Sequence, residues 1–252
     1  MKPDHPTQAQ IPQLRALWKE AFGDSDAFLD IFFSTAFDPR RCRCITEDNR
    51  VLAALYWFDV TCENQSFAYV YAVATAKAAR GRGLCRKLMD DTAAHLKDLG
   101  YQGILLVPQD EGLRIMYGKM GYRDVTTITE TICAAGEIPI APIEISAEDY
   151  AARRLSLLPP GSVIQEGENL TFLAPLAHFY AADGMLAAVS QETEHLRILE
   201  YLGDPALAPG LVTALGAREA TLRCPGSEKD FAMYLPLSAD CAKPAYFAFC
   251  FD

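Results

Sequence analysis

Arg80, Gly81, Arg82 and Gly83 stand between two stretches of different character. Before them, Val70 to Thr75 (VYAVAT) is apolar, with β-branched and aromatic residues. After them, Leu84, Leu88, Thr92, Leu96 and Leu99 recur at three or four residues, the spacing of a buried helix face. A helix N-terminus exposes unpaired N–H groups and the positive end of the helix dipole, so a phosphate placed there is held by backbone donors. Side chains at the turn would obstruct that approach, which accounts for Gly81 and Gly83. Arg80, Arg82, Arg86 and Lys87 add positive charge close to the same point. A strand feeding this turn, with a pyrophosphate at its end, is a coherent anion site. A tight turn with a solvated, basic helix start stays open as the alternative for the tetrapeptide alone. Two other phosphate loops are excluded. The chain has no G-x-x-x-x-G-K-[ST], and Arg86 breaks the G-x-G-x-x-G spacing.

Other reactive side chains give weaker patterns. The eight cysteines (Cys42, Cys44, Cys62, Cys85, Cys133, Cys224, Cys241 and Cys250) form no C-x-x-C pair, and most lie in apolar runs where a thiol acts as a small hydrophobe. Cys85, at a helix start, is a conceivable nucleophile, but no histidine is paired with it in sequence. His5, His95, His178 and His195 lack metal-type spacing and read as structural. No metal is expected.

The elements that must position the turn follow from periodicity. Ile11, Leu14, Leu17, Trp18 and Phe22 share a helix face that Gly23 ends, and Asp24 or Ser25 caps a second helix before Pro39. Two strands joined by a turn at Glu47 to Arg50, the turn CENQ, and a third strand from Ser66 to Thr75 make a meander. The turn of interest leads into a helix ended by Gly100, then a buried strand (GILLVPQ), a short helix closed by Gly121, and another strand through TTITETICA. Residues 136–146 carry two prolines among alternating isoleucines and mark the expected boundary between domains 1–136 and 137–252. The second part is expected to open with a helix stopped by Pro159 and Pro160. Strands from Asn169 to Gln191 with a turn at Asp183-Gly184 come next, then strand, short helix, strand, and two final strands running to the terminus.

Bulk properties narrow the class. The 252 residues are 50% hydrophobic, enough for a sizeable core in one large or two small domains. Residues 1–136 carry 16 Lys+Arg and 17 Asp+Glu, and residues 137–252 carry 7 and 16, so the net charge of -10 sits almost wholly in the second part. Such a chain is a poor nucleic-acid binder. Its second half would attract cations, although solubility explains the charge equally well. No uncharged apolar run reaches membrane-spanning length, and the N-terminus lacks the apolar core of a secretory signal, so a cytoplasmic protein with no membrane contact is expected.

The stretch RGRGLC resembles the acyl-CoA loop of the GNAT superfamily of N-acyltransferases, R/Q-x-x-G-x-G/A, with Arg80 first, Gly83 fourth and Cys85 where Gly or Ala is usual. The element order over residues 11 to 132 is similar to that family's. YGKMGY resembles its Y-x-x-x-G-F signature, with Tyr122 in place of Phe. The resemblance implies an α/β fold: a mixed-sheet GNAT domain, then a degenerate GNAT-like α+β half similar to the tandem, Eis-like branch, though shorter and without that branch's extra C-terminal domain.

The resemblance further implies acetyl-CoA as cosubstrate. Its pantetheine would lie along Ala72, Val73 and Ala74, and its pyrophosphate on the turn formed by Arg80, Gly81, Arg82, Gly83, Leu84, Cys85 and Arg86. Tyr117 would be the acid that protonates the departing thiolate, with oxyanion donors near Val73. The third strand has no Glu where some members place a base. Asp59 in an apolar stretch, the weaker Glu130 and Asp110, the terminal carboxylate of Asp252, and a water relay remain open for that role.

The leading expectation is an N-acetyltransferase that acts directly on a primary amine of a small cationic or lysine-like acceptor, whether small molecule or peptide. A non-catalytic CoA-binding module and an interaction scaffold are the alternatives. The second half holds enough apolar strand to bury a homo-oligomer interface.

Overall fold

The computed structural model describes residues 1–190 and 195–250. The chain divides into two compact units, the first formed by Met1–Arg123 with Met233–Ala242 and the second by Asp124–Ala232 with the residues from Lys243 onward.

In the first unit, helix α1 (Ile11–Phe22) ends where Gly23 turns left-handed at φ 79°. Helix α2 (Asp26–Thr35) begins with the Ser25 hydroxyl accepting from the Phe28 N–H at 3.2 Å. Strands β1 (Cys42–Glu47), β2 (Arg50–Cys62) and β3 (Gln65–Thr75) form the meander. Both connections are two-residue turns with positive φ at each residue, Asp48 and Asn49 (47° and 61°) and Glu63 and Asn64 (49° and 62°). That conformation suits the twist of the strands it joins.

Helix α3 (Leu84–Asp98) carries the chain over to β4 (Gly103–Leu106), which lies parallel to β3. Helix α4 (Glu111–Gly118) and the short strand β5 (Arg123–Asp124) follow. The sheet order is β1-β2-β3-β4-β14-β5, where β14 is Met233–Pro236. Alternate residues of β2 serve opposite faces. Tyr56 meets Trp18 and Phe32 of α1 and α2 at ring separations of 5.1 Å, whereas Leu55 and Trp57 join Leu84, Leu88 and Met89 of α3 in an apolar cluster.

The second unit is built on another mixed sheet, formed by β6 (Thr127–Ala134), β7 (Ile143–Ile145), β9 (Ala177–Ala182), β10 (Met185–Ser190), β11 (Arg197–Gly203), β12 (Glu219–Pro225) and β13 (Lys229–Asp230). Their order is β13-β6-β12-β11-β10-β9-β7. Helix α5 (Ala147–Leu157), the two-residue strand β8 (Ile164–Gln165), α6 (Gly167–Leu173) and α7 (Ala208–Ala214) complete the unit. As in the first unit, a helix links two parallel strands, here β11 and β12 through α7.

Three differences from the sequence reading have physical causes. The division does not fall at residue 136: β6 pairs with β12 along its length, and Met233–Pro236 pairs with β4. Residues 167–173 form a helix rather than a strand, because Asn169, Phe172 and Leu173 are buried at helical spacing and Pro175 closes the segment. Among the described residues, the segment after β14 makes no further ladder and has only a bridge between Ser162 and Tyr246. Its carbonyls are bonded individually instead: Phe249 O accepts from Gln165 Nε2 at 2.5 Å and Ala248 O from Arg223 Nη1 at 3.1 Å.

An ion pair lies inside the second unit. Arg154 (3% exposed) donates through Nε and Nη2 to the carboxylate of Glu200 (0% exposed) at 2.5 and 2.9 Å. The Tyr150 hydroxyl donates to the same carboxylate at 2.6 Å. Burial opposes the guanidinium charge, but the Glu200 carboxylate outweighs it and holds the Arg154 pKa above its ordinary value. Arg154→Met leaves Glu200 buried without its counter-charge and is expected to cost about 3–5 kcal/mol in urea unfolding. Arg154→Met combined with Glu200→Leu is expected to recover most of that loss. A single-variant loss below about 1 kcal/mol, the range of an exposed pair, would contradict the assignment.

Candidate active site

The site is assembled on the strand-to-helix passage of the first unit. β3 pairs with β4 only from Phe67↔Gly103 to Tyr69↔Leu105, and β4 stops at Leu106 while β3 continues to Thr75. On the other side β3 stays paired with β2, but with a register shift. Ala54 faces Ala74 and Tyr56 faces Tyr71, so Ala72 and Val73 together oppose Leu55. This is a β-bulge, and Ala72 takes a left-handed φ of 48° within it. For a side chain larger than glycine that conformation costs about 1–2 kcal/mol. The result is a length of β3 past the reach of β4, with Ala72 and Val73 half-buried.

β3 gives way to a short 3-10 turn at Lys77–Ala79, whose first N–H is accepted by Glu20 Oε1 of α1 at 2.6 Å. Gly81 and Gly83 follow at φ 77° and 74°. A Cβ added to either would meet no protein atom within 4 Å, so the glycines serve the left-handed backbone and leave open space in front of the helix. Gly83 is the N-cap of α3 and supplies no side-chain oxygen to its first amides. The amides of Leu84, Cys85 and Arg86 open a fifteen-residue helix at an exposed turn, an arrangement fit for an anion.

The basic side chains around this turn are oriented by contacts. Arg80 Nε donates to Thr75 O at 3.3 Å, and Arg86 Nη2 to Lys119 O at 2.8 Å, which ties the start of α3 to the end of α4. Arg82 is paired with Glu47, a residue that sequence spacing did not single out because it ends a strand far upstream in the chain. Cys85 is partly buried, and burial pushes its thiol up, which opposes the nucleophile reading.

Tyr117 projects from α4, whose N-terminus is capped by Asp110 Oδ1 accepting from the Leu113 N–H at 2.8 Å. The ring is 6% exposed and packs edge-on against Tyr122 at 5.8 Å. Burial, and then the nearby Cys85, push the Tyr117 phenol far above its ordinary value of 10.0. The group therefore stays protonated at every pH where the protein would work, as a proton donor must. Tyr122, standing where the resembled signature has Phe, buries its hydroxyl with no hydrogen-bond partner among the described residues. Such a group typically costs about 1–3 kcal/mol.

The carboxylates considered as bases are committed elsewhere. Asp59 accepts a short hydrogen bond from the Tyr101 hydroxyl and lies 3.4 Å from Arg41 Nη1. Glu130, in the second unit, is bonded to Lys229 at 2.5 Å and Arg223 at 3.1 Å. These partners outweigh the effect of burial and hold it below the usual carboxylate range. Asp110 is the α4 cap. Asp252 lies outside the described residues.

The histidines have local partners: His5 with the Pro39 and Cys42 carbonyls, His178 with Glu144, His195 with Thr221, and His95 in ring contact with His5 and Trp57. Among the described residues no cluster of three or more His, Cys, Asp or Glu could hold a metal, and no helix is long and apolar enough to cross a membrane.

Residues 2–125 match the family described as acetyltransferase (GNAT) domain. A search of curated proteins finds no match. Among solved structures, the chain is similar to a GCN5-related N-acetyltransferase from Kribbella flavida, with TM-score 0.75 and 18% identity over 96% of this chain and 73% of that one. It is similar also to Eis1 from Mycobacterium abscessus, with TM-score 0.71 and 13% identity over 95% and 75% of the two chains. A tandem GNAT protein from the clavulanic acid biosynthesis pathway gives TM-score 0.59 and 11% identity over 95% and 98%. At these identities the likeness is one of fold, and it extends beyond the matched domain to the second sheet.

Proposed function

We propose, from the match of residues 2–125 to the acetyltransferase (GNAT) domain family, that the chain moves an acetyl group from acetyl-CoA directly to a primary amine of a small cationic or lysine-like acceptor. The observation that carries the cofactor assignment is the open, glycine-lined N-terminus of α3 beside the length of β3 that β4 does not reach. In this reading the pantetheine arm adds to β3 at Ala72, Val73 and Ala74 as an extra strand would. The pyrophosphate takes the amides from Arg82 to Arg86, with Arg80 and Gly81 shaping the approach.

Chemistry then requires little of the protein. The neutral amine attacks the thioester carbonyl, a backbone N–H near Val73 steadies the oxyanion, the C–S bond breaks, and Tyr117 gives its proton to the departing sulfur. The amine proton goes to a carboxylate, for which we assign Asp252. The excess of acidic residues in the second half of the sequence favours a cationic amine.

Calorimetric titration with acetyl-CoA tests the cofactor site. Micromolar binding is expected in the unsubstituted protein, and Gly83→Asp, which places a carboxylate and a β-carbon at a φ of 74°, is expected to abolish it. Unaltered binding by that variant would move the cofactor elsewhere.

Kinetics on a panel of polyamines, aminoglycosides and lysine peptides tests the chemistry. Tyr117→Phe is expected to lower kcat by about 10²-fold or more while acetyl-CoA affinity holds. The raised phenol predicts no loss of kcat from ionisation of this group as pH rises through 10.0, its ordinary value. Removing Asp252 is expected to erase the acidic limb of the pH profile, and an unchanged profile would exclude that residue as base.

A further inference from the structure

The arginine at the centre of the turn is already engaged. Arg82 Nη2 donates to Glu47 Oε1 at 2.8 Å and Nη1 to Oε2 at 3.0 Å, a parallel, two-point contact. Glu47 is the last residue of β1 and faces Arg50 across the Asp48-Asn49 turn, so its carboxylate is presented by a rigid hairpin. The two side chains are 41% and 38% exposed, open to solvent and to competitors. The other arginines of the turn, Arg80 and Arg86, are held by neutral carbonyls. The guanidinium fork that matches a carboxylate at two points matches a phosphate in the same way. An exposed pair of this kind is weak, whereas a phosphate seated on helix amides gains from backbone donors that Glu47 does not reach.

We propose that Glu47 guards Arg82. In the free protein its carboxylate occupies the guanidinium fork; when acyl-CoA binds, a phosphate of the cofactor takes the fork and Glu47 is released to solvent. Glu47 is then a specificity-determining residue. A singly charged small anion gains nothing over the carboxylate it must displace, while a polyphosphate nucleotide does. The guard rests on the acyl-CoA reading of this turn.

The test is calorimetric titration of acetyl-CoA into four proteins: the unsubstituted chain, Glu47→Gln, Arg82→Gln and the double variant. Glu47→Gln is expected to tighten binding about two- to fivefold, the range an exposed pair allows. In the Arg82→Gln background the same change is expected to do nothing. Dephospho-acetyl-CoA separates the two phosphate sources: a gain that persists assigns Arg82 to the pyrophosphate, and a gain that vanishes assigns it to the 3′-phosphate. Binding that is unchanged or weaker in Glu47→Gln would overturn the guard. So would a gain that survives in the Arg82→Gln background, since it would reflect only the loss of a nearby negative charge. Absence of acetyl-CoA binding by the unsubstituted protein and all variants would overturn the cofactor reading itself, and the guard with it.

Discussion

The first turn of α3 has to begin without a capping side chain, at a backbone that only glycine adopts readily. Gly81 and Gly83 sit at positive φ with open space where a Cβ would be, and Gly83 brings no oxygen to the helix amides. Those amides go without a side-chain cap, a loss of a few tenths of a kcal/mol relative to a capping Ser or Asp. The surrounding structure supports the turn at that cost. Glu20 accepts from Lys77 at the entrance, Arg86 ties α3 to the end of α4, and Leu84 and Leu88 anchor the helix in the cluster under the sheet. Strand β3 contributes the second constraint, a bulge at Ala72 and Val73 past the last residue paired with β4.

The second unit builds a similar connection differently. There too a helix links two parallel strands, but the exit from β11 is closed. Gly203 turns at φ 114°, and a Cβ there would fall 2.1 Å from the Gly184 carbonyl oxygen. Helix α7 is seven residues long and carries Pro209 in its first turn, which removes one of the amides an anion would use. Glycine thus serves opposite ends in the two units, close packing in one and free access in the other. This supports assigning the nucleotide to the first unit alone.

What the sequence made legible were features encoded locally. The turn could be read because its glycines, its arginines and the helical spacing after it are contiguous. The short helix that carries Tyr117 could be read because it follows the buried strand and Gly121 closes it, whereas the role given to Tyr117 came from the resemblance of YGKMGY to the family signature. The hairpins at Asp48-Asn49 and Asp183-Gly184 were visible for the same reason. Features that depend on distant pairing were not. The bulge at Ala72 exists only relative to β2, and VYAVAT carries no mark of it. Glu47 meets Arg82 through the fold of the meander, not through spacing. The allegiance of Thr127–Ala134 to the second sheet depends on β12, nearly a hundred residues later. The aromatic run near the end looked like a strand because its residues are apolar, yet the Gln165 and Arg223 side chains and the Val163 N–H each donate to one of its carbonyls in place of a ladder.

The central claim is that the uncapped amides of α3 and the free length of β3 together hold the acyl-CoA. Hydrogen exchange followed by mass spectrometry, with and without saturating acetyl-CoA, addresses it most directly, because exchange reports the amides themselves. The account predicts slowed exchange in peptides covering residues 70–75 and 82–88, with little change in the second unit's β11 and α7. Slowed exchange elsewhere with these two segments unaffected would contradict it.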